Sequence, residues 1–145
     1  MSRNIKQTGG VIMNWTGGCL CGDVRFRATK DPDGARHCHC TLCRRQTGAA
    51  FITGVRFAGE SFEWTKGKPA YFRDSVEVDR SFCARCGSSM TWEPLGRDDI
   101  TVWAGSLDRA EDVHPISHWC TSTMLPWLKL DDGLPQYLEG TTGIP

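Results

Sequence analysis

Seven of the chain's eight cysteines fall into three clusters, and their spacing constrains the fold more than any other feature. The clusters are a C-x-C at Cys19 and Cys21, a C-x-C-x-x-C at Cys38, Cys40 and Cys43, and a C-x-x-C at Cys83 and Cys86. Side chains two apart in an extended strand leave the same face, so both members of a C-x-C can reach one ion. A C-x-x-C turn brings its sulfurs together differently and forms half of many zinc sites. Soft thiolates select zinc or an iron–sulfur cluster over magnesium or calcium. Disulfide bonding is the competing use of so many thiols. The opening MSRNIKQTGGVIMNWTGG lacks the sustained apolar run of a secretory signal, so a cytoplasmic location is expected, where disulfides are rare. Nothing approaches the ~18 apolar residues that span a bilayer.

The clusters differ in the residue after their last cysteine. Cys21 precedes Gly22 and Cys86 precedes Gly87. Glycine there permits the turn that aims the next amides at a sulfur, where they offset thiolate charge. Cys19, Cys21, Cys83 and Cys86 supply four thiolates, a closed tetrahedral site that staples distant parts of the chain and turns metal affinity into folding free energy. Cys43 is succeeded by Arg44 and Arg45 instead. Three ligands leave a metal one open position, as catalytic zinc requires. The two arginines favour thiolate over thiol and are candidates to hold an anionic substrate, although a solvated basic pair on a loop accounts for them equally. Cys120, His37, His39, His114 or His118 could instead close the second site. In an extended segment His37 and His39 point away from the thiols. His114 and His118 read as surface or core hydrogen-bonding residues. Cys120 is the strongest competitor, though a free thiol also packs as a small apolar residue. Spacing alone leaves other partitions of the seven thiols open.

At 145 residues the chain fits one domain. Alternation at Val24, Phe26 and Ala28, at Phe62 and Trp64, at Val76 and Val78, and at Ile100 and Val102 predicts short strands and a mainly β fold. Gly, Pro and Asp punctuate these runs at 31–34, 66–69 and 93–99. A short helix is expected after Cys43, and another over Ser106 to Asp112 with Ser106 as its cap. Residues 1–14 read as a flexible arm, 15–138 as one zinc-binding domain and 139–145 as a tail. Six tryptophans and six phenylalanines are expected mostly in the core, although Trp119 or Trp127 could wall a pocket. Seventeen basic residues balance seventeen acidic ones, which removes the electrostatic case for a nucleic-acid partner.

The segments GGCLCGDVRF, HCHCTLCRRQTGAAF, SFCARCGSSM and LPW…DDGLPQY together resemble the glutathione-dependent formaldehyde-activating enzyme family, which includes centromere protein V. The resemblance covers about residues 15 to 138. It implies a structural zinc at Cys19, Cys21, Cys83 and Cys86, and a second, catalytic and more labile zinc at Cys38, Cys40 and Cys43. It implies twisted β-sheets joined through zinc, as in accessory factors of guanine-nucleotide exchange. The implied reaction is that of a carbon–sulfur lyase, in which glutathione or a similar thiol adds to formaldehyde or a small aldehyde. S-hydroxymethylglutathione is the expected adduct, with Arg44 and Arg45 beside its carboxylates. The basic tail suited to a chromatin-associated relative is missing. Two other functions fit the same residues: a zinc-stabilised protein-binding module, and a thiol redox or metal sensor.

Overall fold

The computed structural model describes residues 14–140. The expected arm, except Asn14, and residues 141–145 of the expected tail lie outside the described residues. In chain order the elements are β1 (Trp15–Gly18), β2 (Arg25–Ala28), β3 (Ala35–Cys38), α1 (Thr41–Thr47), β4 (Ile52–Ala58), β5 (Phe62–Lys66), β6 (Ala70–Arg73), β7 (Val78–Phe82), β8 (Ser89–Pro94), β9 (Asp99–Trp103) and β10 (Pro115–Trp119). The expected mainly β architecture is what forms, with short 3-10 turns between strands.

Two sheets divide the strands. One runs β1–β2–β5, and the other runs β10–β3–β4–β9–β8–β7–β6. Pairing is antiparallel throughout except between β10 and β3, which are parallel. The core lies between the sheets. Phe26 and Ala28 of β2 pack into one cluster with Val55 and Phe57 of β4 and Ile100 and Val102 of β9. Phe26 stacks on Phe62 at 5.4 Å between ring centroids and meets Trp64 edge-on at 6.1 Å. These ring pairs add to the area that the phenylalanines bury.

Period-two alternation then decides what the opposite face of the large sheet carries. Val55 and Phe57 face the core, so Gly54 and Arg56 face away. Registered partners share a face: Arg36 pairs with Gly54, Gly54 with Trp103, and Arg56 with Thr101. Trp92 pairs with both Thr101 and Arg80, and Trp119 pairs with Cys38. Tryptophan and arginine therefore line an outer face that sits against the middle cysteine cluster.

Several local expectations change. The helix does not follow Cys43 but contains it, because Cys40 serves as the cap and its sulfur accepts the Cys43 amide at 3.3 Å. Gly48, at φ 70°, ends that helix in the left-handed conformation glycine tolerates. No helix spans Ser106 to Asp112. Two 3-10 turns, Ala104–Ser106 and Ala110–Asp112, replace it, and the Ser106 hydroxyl ends the first by donating to the Trp103 carbonyl at 2.7 Å. Val76 lies in the turn before β7 and is exposed, and Val24 is buried one residue before β2. Among the described residues no helix is long and apolar enough to cross a membrane.

Candidate metal centres and the adjoining cavity

The loop after β1 carries Cys19 and Cys21, and the loop after β7 carries Cys83 and Cys86. The four sulfurs lie within 4.8 Å of one another. Cys21 Sγ is 3.6 Å from Cys19 Sγ and 3.7 Å from Cys83 Sγ. A tetrahedron with Zn–S bonds of about 2.3 Å has edges of about 3.8 Å, so the spacing fits a tetrahedral ion. Each loop turns through its glycine: Gly22 at φ 81° donates to the Cys19 carbonyl, and Gly87 at φ 76° to that of Cys83. The Val24 amide donates to Cys19 Sγ at 3.3 Å, and Ser88 Oγ lies 3.2 Å from Cys86 Sγ. The Ser88 hydroxyl, then the backbone amides of Ser88 and Cys21, pull the Cys86 thiol down to about 5, into the thiolate form a metal takes. The Leu20 amide, donating to Ser88 Oγ at 3.0 Å, ties the loops to each other.

Cys38 ends β3, Cys40 caps α1 and Cys43 lies in its first turn, so a strand end and a helix start converge three sulfurs within 4.8 Å. Cys40 is pulled well below an ordinary thiol by donors on Cys38 and Cys43, by the Cys43 amide and by the Arg80 charge. Cys38 is pushed up, first by Cys120, then by Cys40 and Cys43. Three thiols this close compete for protons, and a soft cation relieves that competition. The donor set fits zinc. Arg80 supports it from β7. Its guanidinium lies 3.9 Å from Cys43 Sγ, donates to Gln46 Oε1 at 2.9 Å, and pairs with the Asp74 carboxylate at 2.6 Å.

Cys120 sits beside Cys38 because β10 runs parallel to β3, but it is not one of the converged sulfurs. Its backbone is left-handed, at φ 57°. No disulfide joins any of the eight cysteines.

A cavity of about 250 Å³ opens beside the triad. Cys38, Cys40, Cys43 and Cys120 form one wall, and Trp92, Trp103 and Trp119 form much of the rest. Arg36, Arg56 and Arg80 supply its cationic groups. Half of the six tryptophans thus line the cavity, including Trp119, a suggested wall, while Trp127 does not. The arginines suggested by sequence lie elsewhere. Arg44 and Arg45 line a separate hollow on the other side of α1, with Leu125 and Trp127. The three cavity arginines went unnoticed in the sequence. Alternation in ARHC could have revealed Arg36, since it shares a strand face with Cys38.

The histidines take a different place. His37 and His39 do leave the face opposite the thiols, and His39 Nε2 lies 2.9 Å from His118 Nδ1. His118 Nε2 is 2.8 Å from Asp132, and His37 Nδ1 is 2.8 Å from the Thr53 hydroxyl. Desolvation, then the neighbouring His118 and His37, push His39 down to about 4, so it stays neutral at neutral pH. His37, His118 and Asp132 also have donor atoms within 4.8 Å of one another. However, the His37 and His118 rings overlap at 4.7 Å and 32° rather than converging edge-on, and His118 Nε2 is already shared with Asp132. The cluster is a hydrogen-bonded core that backs the cysteine segment.

Comparisons with known proteins agree with this arrangement. The family model for the glutathione-dependent formaldehyde-activating enzyme matches residues 14–123. A Halomonas elongata protein provisionally named as such an enzyme is 26% identical over 102 residues, covering 63% of this chain and 64% of that protein. The match thus spans less than two thirds of the relative's length. The crystal structure of a Rhodobacter sphaeroides protein superposes with a TM-score of 0.55 at 21% identity, covering 69% of this chain and 91% of that one. That likeness concerns the fold. The family match takes in all three cysteine clusters and both sheets, and the chain belongs to the glutathione-dependent formaldehyde-activating enzyme family.

Proposed function

We propose that the chain is a zinc-dependent enzyme that adds a thiol, glutathione or one like it, to formaldehyde or another small aldehyde. The reaction forms one C–S bond and opens the carbonyl π bond. The S–H proton is lost from sulfur and a proton is gained at the carbonyl oxygen, so no oxidant or reductant is needed. The reverse direction breaks the same C–S bond, which makes this carbon–sulfur lyase chemistry. The carrying observation is that the three sulfurs of Cys38, Cys40 and Cys43 converge on the wall of a cavity. In this reading they hold the catalytic zinc, and Cys19, Cys21, Cys83 and Cys86 hold a structural one, joining the sheets as in the exchange-factor accessory fold. A bound zinc supplies Lewis acidity and favours thiolate over thiol. The protein supplies placement. Tryptophan walls exclude water, and the cavity holds a soft nucleophile against a small electrophile, raising their effective concentration. Arg80 compensates negative charge at Cys43, and Asp74 and Gln46 hold it in position. The eight unpaired thiols suit a reducing cytoplasm.

The test combines native mass spectrometry with turnover. The expected result is two zinc ions per chain and formation of S-hydroxymethylglutathione, measured by NMR above the uncatalysed rate. Cys43→Ser should carry one zinc and lower the catalysed rate by at least about a hundredfold, the size of a lost electrostatic stabiliser. Full activity in that one-zinc variant would defeat the proposal.

A further inference from the structure

The cavity beside the triad is selective in its charge. Arg36 and Arg56 stand on neighbouring strands, β3 and β4, on the face that also carries Cys38. The Asp33 carboxylate pairs with Arg56, while Arg36 Nη1 donates, among the described residues, to the Asp33 backbone carbonyl at 3.3 Å. Two guanidiniums therefore share a single carboxylate, itself mostly exposed. The Arg36 guanidinium carbon stands over the Trp119 ring, 5.0 Å from its centroid, a cation–π contact that holds the charge at the cavity wall. Arg80, the third cation, is already engaged by Asp74, Gln46 and Cys43.

No aspartate or glutamate lines the cavity among the described residues. The cysteine sulfurs are thus the cavity's negative groups, whereas a ligand carboxylate on the opposite wall would meet Arg36, and Arg56 beyond its pairing with Asp33. The remaining walls are aromatic. Trp92, Trp103 and Trp119 give the cavity an aromatic, apolar lining, and Gly54 keeps the floor clear. A Cβ at Gly54 would stand 2.6 Å from Thr101 Cγ2 and 3.5 Å from the Trp103 ring. The volume, about 250 Å³, falls below the roughly 300–1,000 Å³ of sites for drug-sized ligands.

We infer that the cavity takes a compact, carboxylate-bearing thiol with a flat apolar body. Its carboxylate is held by Arg36 and Arg56, its body lies against the three tryptophans, and its sulfur reaches the Cys38–Cys40–Cys43 wall. The inference rests on the proposed thiol–aldehyde reading for the sulfur's role, but the carboxylate site stands on its own geometry. It moves the anion site from the Arg44–Arg45 side of α1 to the sheet face.

The experiment measures equilibrium binding to the zinc-loaded full chain, by calorimetry and by tryptophan fluorescence, with probes that lack sulfur. 3-Phenylpropionate should bind at least about tenfold more tightly than the neutral 3-phenylpropanol, the difference that one charge-assisted contact provides. Arg36→Met, which keeps a chain to pack on Trp119, should erase that preference, and Arg36→Lys should restore part of it. Arg56→Met tests the second cation independently if the first variant folds poorly. 2-Mercaptobenzoate should compete with 3-phenylpropionate for one site. Equal binding of acid and alcohol by the unmodified chain would overturn the inference. So would a loss of affinity in Arg45→Met with none in Arg36→Met. Failure of the zinc-loaded chain to accelerate the reaction of 2-mercaptobenzoate or glutathione with formaldehyde above the uncatalysed rate, with carboxylate binding intact, would remove the catalytic reading and keep the anion site. Turnover of glutathione with no binding of 3-phenylpropionate would do the reverse.

Discussion

Cys43 and Cys86 are chemically identical residues with different expected consequences. Cys43 belongs to a segment whose strand and helix are independently hydrogen-bonded, whereas Cys86 belongs to a quartet that joins loops from two parts of the fold. Cys86→Ser is expected to destabilise the protein by on the order of 4 kcal/mol, the scale of losing a structural metal. Cys43→Ser should lower the melting temperature by only a few degrees. Paired thermal melts of the two variants check this, and equal shifts would contradict the division into structural and catalytic sites. The cysteine groupings were legible because local spacing and the neighbouring glycines encode them. Arg56 and Arg80 were not legible. They approach the triad only through strand pairings, Arg56 with Thr101 and Arg80 with Trp92, that no local pattern specifies. Cys120, the strongest competitor for the middle site in the sequence, does come beside Cys38, through a parallel pairing of segments about eighty residues apart in sequence.

At the scale of elements, the turn from β6 to β7 connects the stability of the fold to the triad. Asp74 Oδ1 accepts the amides of Val76 and Val78 at 3.0 and 3.1 Å, while its Oδ2 pairs with Arg80. Both side chains of that pair are nearly sealed from solvent, at 5% and 6% exposure. Burial alone would raise the Asp74 pKa, but the Arg80 hydrogen bond and the two amides outweigh it and hold it low. With the folded value below the unfolded one, the pair's contribution is present above the ordinary carboxylate pKa of about 4. It is lost as pH falls through the lower folded value. Asp74→Asn should therefore cost on the order of 3 kcal/mol at pH 7, because it strands a buried guanidinium. Its denaturant-measured stability should also fall less than that of the parent chain when the pH drops below about 4. The helix boundary teaches a related lesson. A cap is usually sought among Ser, Thr, Asp and Asn, but here a cysteine sulfur fills that role, so α1 begins earlier than its sequence suggests.

For the whole molecule, the mainly β class was readable from alternation, but the order of seven strands in one sheet was not. The tryptophans show why. Core packing was the natural expectation for aromatic residues, yet the outer face of the large sheet places three of them around a cavity. A chelator should therefore act in two stages. If the proposed two-zinc reading holds, the ion at the triad, beside the cavity, leaves first, with loss of activity and little change in near-ultraviolet circular dichroism. Removal of the quartet's ion should then collapse that signal cooperatively, as expected when a metal is part of the folding free energy. The two centres also differ in how much of the chain they need. Cys38, Cys40 and Cys43 are complete within a single short segment, whereas the quartet waits for Cys86. A chain emerging from the ribosome can bring these three thiols together before the two sheets are clasped, while the cavity they face waits for Trp92, Trp103 and Trp119, so one ligand set and its surroundings are acquired at separate moments of synthesis.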